Sequence, residues 1–484
     1  MTFVSDLRPK ILWRHFDEIL TIPRGSKKED KMREHVINHA KARGLDFKVD
    51  AIGNVVVKKA GTSGRENAPI TILQAHLDMV NEKNSDVDHD FDKDPIKPQI
   101  DGEYLKATGT TLGSDNGIGV AAMLALMDET DVAHGPLELL FTIDEETGLT
   151  GAGELGPGML EGKRLLNLDT EEEGIFYIGC AGGADSNLTL ALSKASTPAG
   201  SAAIAVKLFG LKGGHSGCDI HLQRGNATKL LTRALQTVQR SIPFNLARLE
   251  GGNLHNAIPR EAFATVVLAA DKKDAFDNAI KAEMAVIHNE FRPAEPDLTL
   301  EVAETDTPAQ MLDDATTEKV MNLVTGLPHG VLAMSYDIPE LVETSTNLAA
   351  MKQENGEMKF LLSSRSSVES AINATRQRIR AIAGLADATV EEGNGYPGWK
   401  PDVHSPLLAL MKSVHKNVTG HEPEVKAVHA GLECGIIGEK YPGMDMISIG
   451  PQIEFPHSPD ERVKISTVKD FYELLLVALK ELAG

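Results

Sequence analysis

The 484-residue chain is poor in cysteine and aromatic residues and has no apolar stretch of the ~18 residues needed to span a bilayer. Its three cysteines, Cys180, Cys218 and Cys434, are widely spaced and include no Cys-x-x-Cys pair, which argues against a disulfide framework or a cysteine zinc site. A reducing compartment is expected. Positive charge is scarce too: 49 Lys and Arg stand against 70 Asp and Glu, a formal net charge of −21, and such a surface repels phosphates. Nucleic acid and membranes are therefore not expected partners. The N-terminal run MTFVSDLRPKILWRHFDEIL breaks its apolar positions with charge every few residues, unlike a secretory signal. A soluble cytoplasmic protein is expected.

What is present is an ordinary globular composition at about three times the ~150-residue length typical of one domain, so at least two domains are expected. From residue 50, β-rich runs (DAIGNVVVKKAG, APITILQAHLDMV, LELLFTIDEE, RLLNLDTEEEG) alternate with the helical GIGVAAMLALMDE, the pattern of an α/β domain with a mainly parallel mixed sheet. Near residue 186 the order becomes β-α-β-β-α, as in a split βαβ unit of ferredoxin-like type. The runs VLAMSYD, ETSTNLAAMKQ, MKFLLSSR and VESAINATRQRIRAIA repeat the theme, giving one insert or two similar halves. GNGYPGWKPDV reads as a linker, after which the α/β style returns. It ends in a helix with Val468, Phe471, Leu475, Ala478 and Leu482 on one face behind the N-cap candidate Ser466. The expected organisation is a discontinuous catalytic domain, 1–185 and 401–484, carrying an inserted α+β domain, 186–400.

Five passages place metal-type side chains at the ends of predicted strands or helices. In TILQAHLDMV the apolar run stops at His76, and strand alternation puts Asp78 on the same side, where it could fix the imidazole tautomer. In TTLGSDNGIGVAAM, glycines surround Asp115 before a helix; the carboxylate suits an N-cap or a bridge between two ions ~3.5–4 Å apart. LELLFTIDEETGLTGA ends in Asp144, Glu145 and Glu146, whose divergence would let one glutamate bind metal while its neighbour serves as general base. RLLNLDTEEEGIF ends in Asp169, with Glu171, Glu172 and Glu173 read as a solvated turn, and His457 lies in the loop of ISIGPQIEFPHSPDERV. Alone, each also fits a strand-end hydrogen bond, a cap or a surface residue. Together, two imidazoles and three carboxylates form a mixed N/O set for two zinc-like ions sharing Asp115, at the strand ends where open α/β sheets bind ligands.

At AHLDMV, GSDNGIG, DEETGLTGA, LNLDTEEEG and FPHSPDE, in that order, the chain resembles the co-catalytic zinc exopeptidase family that contains carnosinases, aminoacylases, peptidase T and glutamate carboxypeptidases. GCAGG and GGHSG extend the likeness over nearly the whole length. The resemblance implies one ion on His76, Asp115 and Asp169 and another on Asp115, Glu146 and His457, with Asp78 supporting His76 and Glu145 as base. It also implies a cis Asp115-Asn116 peptide. Aspartate at position 169 marks aminopeptidases and dipeptidases, glutamate there carboxypeptidases and aminoacylases. The insert becomes a lid, in which His215 stabilises the oxyanion, Asn256 and Arg365 grip the substrate's backbone and carboxylate, and Gly431 lies near the bound substrate. The implied activity is a zinc metallopeptidase, with Co2+ or Mn2+ as substitute ions, hydrolysing short peptides, chiefly dipeptides with a C-terminal histidine, as a homodimer. A tripeptidase, an N-acyl amino acid amidohydrolase and a noncatalytic metal-binding protein are the alternatives.

Overall fold

The computed structural model describes residues 3–484, the side chain of Asn394 apart. Two compact units are present: Met1–Cys180, Trp399–Ala427 and Leu432–Gly484 form the first, and Ala181–Gly398 with Val428–Gly431 the second. The expected boundary at 185 moves toward the N-terminus because strand Gly182–Ala191 pairs along its whole length with Glu357–Ser366. Val428–Gly431 joins the second unit, and the Ala181 N–H donates to the carbonyls of Val428 and Ala430.

In the first unit an eight-stranded sheet runs in the order Asp46–Val49, Val55–Lys59, Leu137–Thr142, Thr71–His76, Arg164–Asn167, Asp445–Ser448, Ile175–Cys180, Glu424–Val428. The four strands from Leu137–Thr142 to Asp445–Ser448 pair in parallel, while Asp46–Val49, Val55–Lys59 and Leu137–Thr142 pair antiparallel in succession on one side and Ile175–Cys180 pairs antiparallel with Asp445–Ser448 on the other, a mixed sheet with a parallel centre as expected. The short Asp50–Asn54 connection explains one flank: five residues can join antiparallel strands but cannot make a crossover. Asp50 closes that turn by accepting the N–H groups of Ile52, Gly53 and Asn54.

Thr71–His76 and Leu137–Thr142 are buried at every position, as strands covered on both faces must be. Helix Ser114–Asp128 carries no charge between Asp115 and Asp128 and is buried from Ser114 to Met127. The last helix, Ile465–Leu482, buries all five expected apolar residues. Its N-cap is Lys464, not Ser466, and Thr467 Oγ1 donates to the Lys464 carbonyl at 2.8 Å. A four-stranded antiparallel sheet (Pro98–Asp101, Tyr104–Ala107, Arg462–Lys464, Ile453–Glu454) ends in the hairpin whose loop carries His457.

The second unit is built on one antiparallel sheet containing two βαββαβ sets. Ser201–Phe209, Asn245–Gly251, Ala262–Ala269 and Thr299–Thr305 stand in the spatial order fourth, first, third, second, with helices Ala227–Gln239 and Lys273–Phe291 in the crossovers. Gly182–Ala191, Val342–Glu354, Glu357–Ser366 and Thr389–Tyr396 repeat that order from the opposite edge, with helices Asp314–Gly326 and Glu369–Leu385. The sets meet where Gly251 pairs with Met351. The first set interrupts the second after its opening strand, and the two-stranded pairing of Lys194–Ser196 with Gln310–Leu312 closes the insertion point. Part of the expected linker is strand: Tyr396 pairs with Gly183. Among the described residues no helix is long and apolar enough to cross a membrane.

Candidate active site

In the first unit, His76 terminates its strand, Asp169 follows Arg164–Asn167, and Glu145 and Glu146 follow Leu137–Thr142. Asp115 occupies the first turn of helix Ser114–Asp128 with non-helical angles, behind Gly113 at φ +73°. The Asp115-Asn116 peptide is cis. His76 Nε2 lies 3.0 Å from Asp115 Oδ1 and 3.3 Å from Asp169 Oδ1. His457 Nε2 lies 3.3 Å from Asp115 Oδ2 and 2.9 Å from Glu146 Oε2. Asp115 thus offers one oxygen to each trio. Two donors on one tetrahedral ion with bonds of ~2.0–2.1 Å stand roughly 3.3 Å apart, so these separations suit co-ligation. Glu146 Oε1 is buried without a hydrogen-bond partner, and Glu145 groups with His76 and Glu146 within 4.8 Å.

The electrostatics point the same way. Burial, with Asp115 adding and His76 opposing, pushes Asp169 up to about 6. Burial also drives Glu145 well above the carboxylate range, against His76 and with Asp169, Glu433 and Glu146 adding. Hydrogen bonds to Asp115 and Glu146 push His457 up to about 11. Asp115, by contrast, is held far below its usual range, the pull of the two imidazoles exceeding its burial penalty. Too many carboxylates face too few cations, and two divalent ions would balance them.

Asp78 is fully buried, yet its pKa is held at about 2, because His76 and the Glu145 N–H outweigh its desolvation. Its oxygens accept the N–H groups of Glu145 (3.0 Å) and Glu146 (3.1 Å) and the Ser26 hydroxyl, and one lies 3.3 Å from His76 Nδ1. One carboxylate therefore orients both the imidazole and the two-glutamate turn.

Four supporting residues have no local signature. Glu461, 2% exposed, accepts the N–H groups of Leu112, Gly113, Ser114 and Asp115 and the Ser114 hydroxyl, completing the helix start that presents Asp115. Buried Arg24 donates to the carbonyls of Leu77, Asp78 and Gly113. Glu433 accepts Gln74 Nε2 and Thr142 Oγ1 beneath the strand ends, and burial pushes it up to about 7. Asn116 Nδ2 donates to Asp169 and the Leu168 carbonyl. Gly119 admits this packing, since a Cβ there would meet Asn116 Oδ1 at 2.0 Å. Glu171 corrects the solvated-turn expectation: it is half-buried, and desolvation with Asp115 and Asp169 pushes it up to about 9.

In the second unit, His215 Nδ1 accepts the N–H groups of Gly217 (3.2 Å) and Cys218 (3.0 Å), which places the imidazole proton on Nε2. Burial and the Arg365 charge push this histidine's pKa down, favouring the neutral ring. The Asn256 carbonyl accepts the Ser216 N–H at 2.7 Å, and His215 and Asn256 line one cavity of about 890 Å³. Arg365 does not line that cavity. Its guanidinium, 7% exposed, donates to Tyr396 Oη at 2.9 Å and leaves Nε unpartnered. Gly431 is half-buried at the end of Val428–Gly431, whose His429 carbonyl would lie 2.5 Å from a Cβ on Gly217.

A model of Peptidase family M20/M25/M40 matches residues 72–481. The chain is 41% identical over 482 residues to the cytosol non-specific dipeptidase of Escherichia coli (strain K12), covering 100% of this chain and 99% of that protein. The crystal structure of aminoacylhistidine dipeptidase from Vibrio alginolyticus superposes with a TM-score of 0.94 at 43% identity, over 99% of this chain and 98% of that one. Aminopeptidase PepT from Bacillus cereus ATCC 10987 shares the fold, with a TM-score of 0.58 at 16% identity over 99% and 100% of the two chains. The chain belongs to Peptidase family M20/M25/M40.

Proposed function

We propose that the protein is a cytosolic zinc-dependent dipeptidase that prefers Xaa-His dipeptides, carnosine-like ones included, and works with two divalent ions as a homodimer. The observation that carries this reading is the pair of His-carboxylate trios sharing Asp115, with Glu145 beside them. The dipeptidase names of the two full-length relatives support the substrate class. His76, Asp115 and Asp169 would hold one ion and Asp115, Glu146 and His457 the other, with Zn2+ the expected metal and Co2+ or Mn2+ substitutes. Bound there, such ions supply Lewis acidity for the scissile carbonyl and lower the pKa of water toward ~7.

The chain's own residues do the rest. Glu145 takes a proton from the attacking water and returns it to the leaving amine nitrogen, a role suited to a half-buried carboxylate with raised proton affinity. Asp78 holds His76 through Nδ1, leaving Nε2 for the metal. His215 offers Nε2–H to the developing oxyanion. Arg365, a buried cation with one phenol partner and a free Nε, binds the C-terminal carboxylate, for which its planar fork is suited. Asn256 contacts the substrate backbone, and Gly431 leaves it room. The acidic surroundings of Asp169 favour a cationic α-amino end.

Replacing Glu145 with Ala and assaying a free-amino Xaa-His dipeptide tests the assignment. Turnover is expected to vanish while metal content stays near wild type; near-wild-type turnover would remove Glu145 from the mechanism. Preference for the N-acetyl form would favour an amidohydrolase, and preference for tripeptides a tripeptidase.

A further inference from the structure

The first unit contains a second cavity, of about 240 Å³, that none of the proposed ligands or substrate-binding residues lines. That volume holds roughly eight waters, or one ring-bearing molecule of about ten heavy atoms. Its walls decide between them. Ile175, Phe176, Ile449, Phe471 and Leu474, all buried, make most of the lining apolar. A buried imidazole stands among these apolar walls. His415, 7% exposed, places Nδ1 2.8 Å from the His421 carbonyl, so the proton sits on Nδ1 and Nε2 is an acceptor. Among the described residues Nε2 has no hydrogen-bond partner, and a Cβ on Gly174, another wall residue, would stand 4.0 Å from it.

Charge at this cavity is one-signed. Glu173, Glu422 and Asp470 line it, and no Lys or Arg does. Lys412 and Lys416 pair with Glu422 at 3.8 and 3.1 Å, which leaves Glu173 and Asp470 as the acids free to meet a cation. The wall also abuts the catalytic loop: the Ile449 carbonyl accepts the Thr170 N–H at 3.3 Å, next to Asp169, and a Cβ on Gly450 would meet the Thr170 carbonyl at 1.7 Å.

We infer that this cavity is an effector site for a small hydrophobic amine: an aromatic or branched body against Phe176, Phe471 and Leu474, an N–H on His415 Nε2, and an ammonium facing Asp470 and Glu173. The contact between its wall and Thr170 makes occupancy felt at Asp169. Binding is independent of the reaction proposed above; the rate effect rests on it.

The test uses the metal-loaded protein with 2-phenylethylamine as probe and 3-phenylpropionate as its anionic counterpart, followed by calorimetry. The amine should bind saturably at one site per chain, the anion about tenfold or more weakly because it faces carboxylates. Leu474→Trp should fill the cavity and abolish amine binding. Asp470→Asn, on a half-buried residue whose loss does not threaten folding, should reduce the preference for the amine. Saturating amine should change dipeptide turnover by about twofold or more in wild type and not in Leu474→Trp. No saturable amine binding, equal binding of the anion, or undiminished binding to both variants would overturn the site. Binding without a rate change, while turnover itself is intact, would overturn the effector role.

Discussion

Glu461→Gln separates positioning of the metal-type ligands from the ligands themselves. The carboxylate uses Oε2 for the Leu112 and Gly113 N–H groups and Oε1 for the Ser114 N–H, the Ser114 hydroxyl and the Asp115 N–H. Glutamine keeps one oxygen and turns an NH2 toward the other set, so at least two buried N–H donors lose their acceptor. At ~1–3 kcal/mol each, the cost is roughly 2–6 kcal/mol, a large part of a typical stability of ~5–15 kcal/mol. Because those donors begin the helix turn that presents Asp115, even ~1.4 kcal/mol of the penalty falling on the metal-bound form weakens metal binding about tenfold. Competition with a chromophoric chelator measures the affinity, and urea denaturation of metal-free protein measures the rest. Glu454→Gln is the control: it lies on the same hairpin but pairs with partly exposed Arg462, a contact worth ~0–1 kcal/mol. Equal urea midpoints and equal metal affinities for the two variants would refute the positioning role.

Arg365→Ala should cost roughly 2–5 kcal/mol in kcat/KM on dipeptides and far less on their C-terminal amides, and equal losses would reject the carboxylate contact. His15, 1% exposed, has its pKa pushed down to about 4, mainly by burial, with Asp128 opposing. In the unfolded chain that histidine takes its proton near pH 6.5, so its contribution is intact above that value and is lost as pH falls toward 4. Between pH 7 and 5 the loss is about 2 kcal/mol. The urea stability of His15→Gln should therefore fall less than wild type over that interval, and parallel curves would contradict the assignment.

Four of the five residues gathered into the two trios were readable because they follow an apolar run or open a helix: His76, Glu146 and Asp169 stand where buried strands end, and Asp115 where a helix begins, whereas His457 lies in a hairpin loop. Local pattern carried that much. Glu461 meets Asp115 across 346 positions and Glu433 meets Gln74 across 359, so their roles exist only once the strands are assembled. Glu171 was misread for the same reason: a run of three glutamates looks solvated unless the neighbouring Asp115 is known to approach it. In the second unit the contiguous βαββαβ set was legible as written. The other was harder to delimit because its first strand, Gly182–Ala191, lies ahead of the insertion and its last, Thr389–Tyr396, inside a Gly-rich stretch that resembles a linker.

The most direct test of the central claim is the hydrolysis rate of a panel of dipeptides with varied second residues, measured before chelation, after it, and on stepwise return of Zn2+, Co2+ or Mn2+. The account predicts loss of hydrolysis with chelator, recovery that saturates at two equivalents of metal per chain, and the fastest turnover with C-terminal histidine. Undiminished hydrolysis in chelator, or no hydrolysis of any dipeptide after reloading, would contradict it.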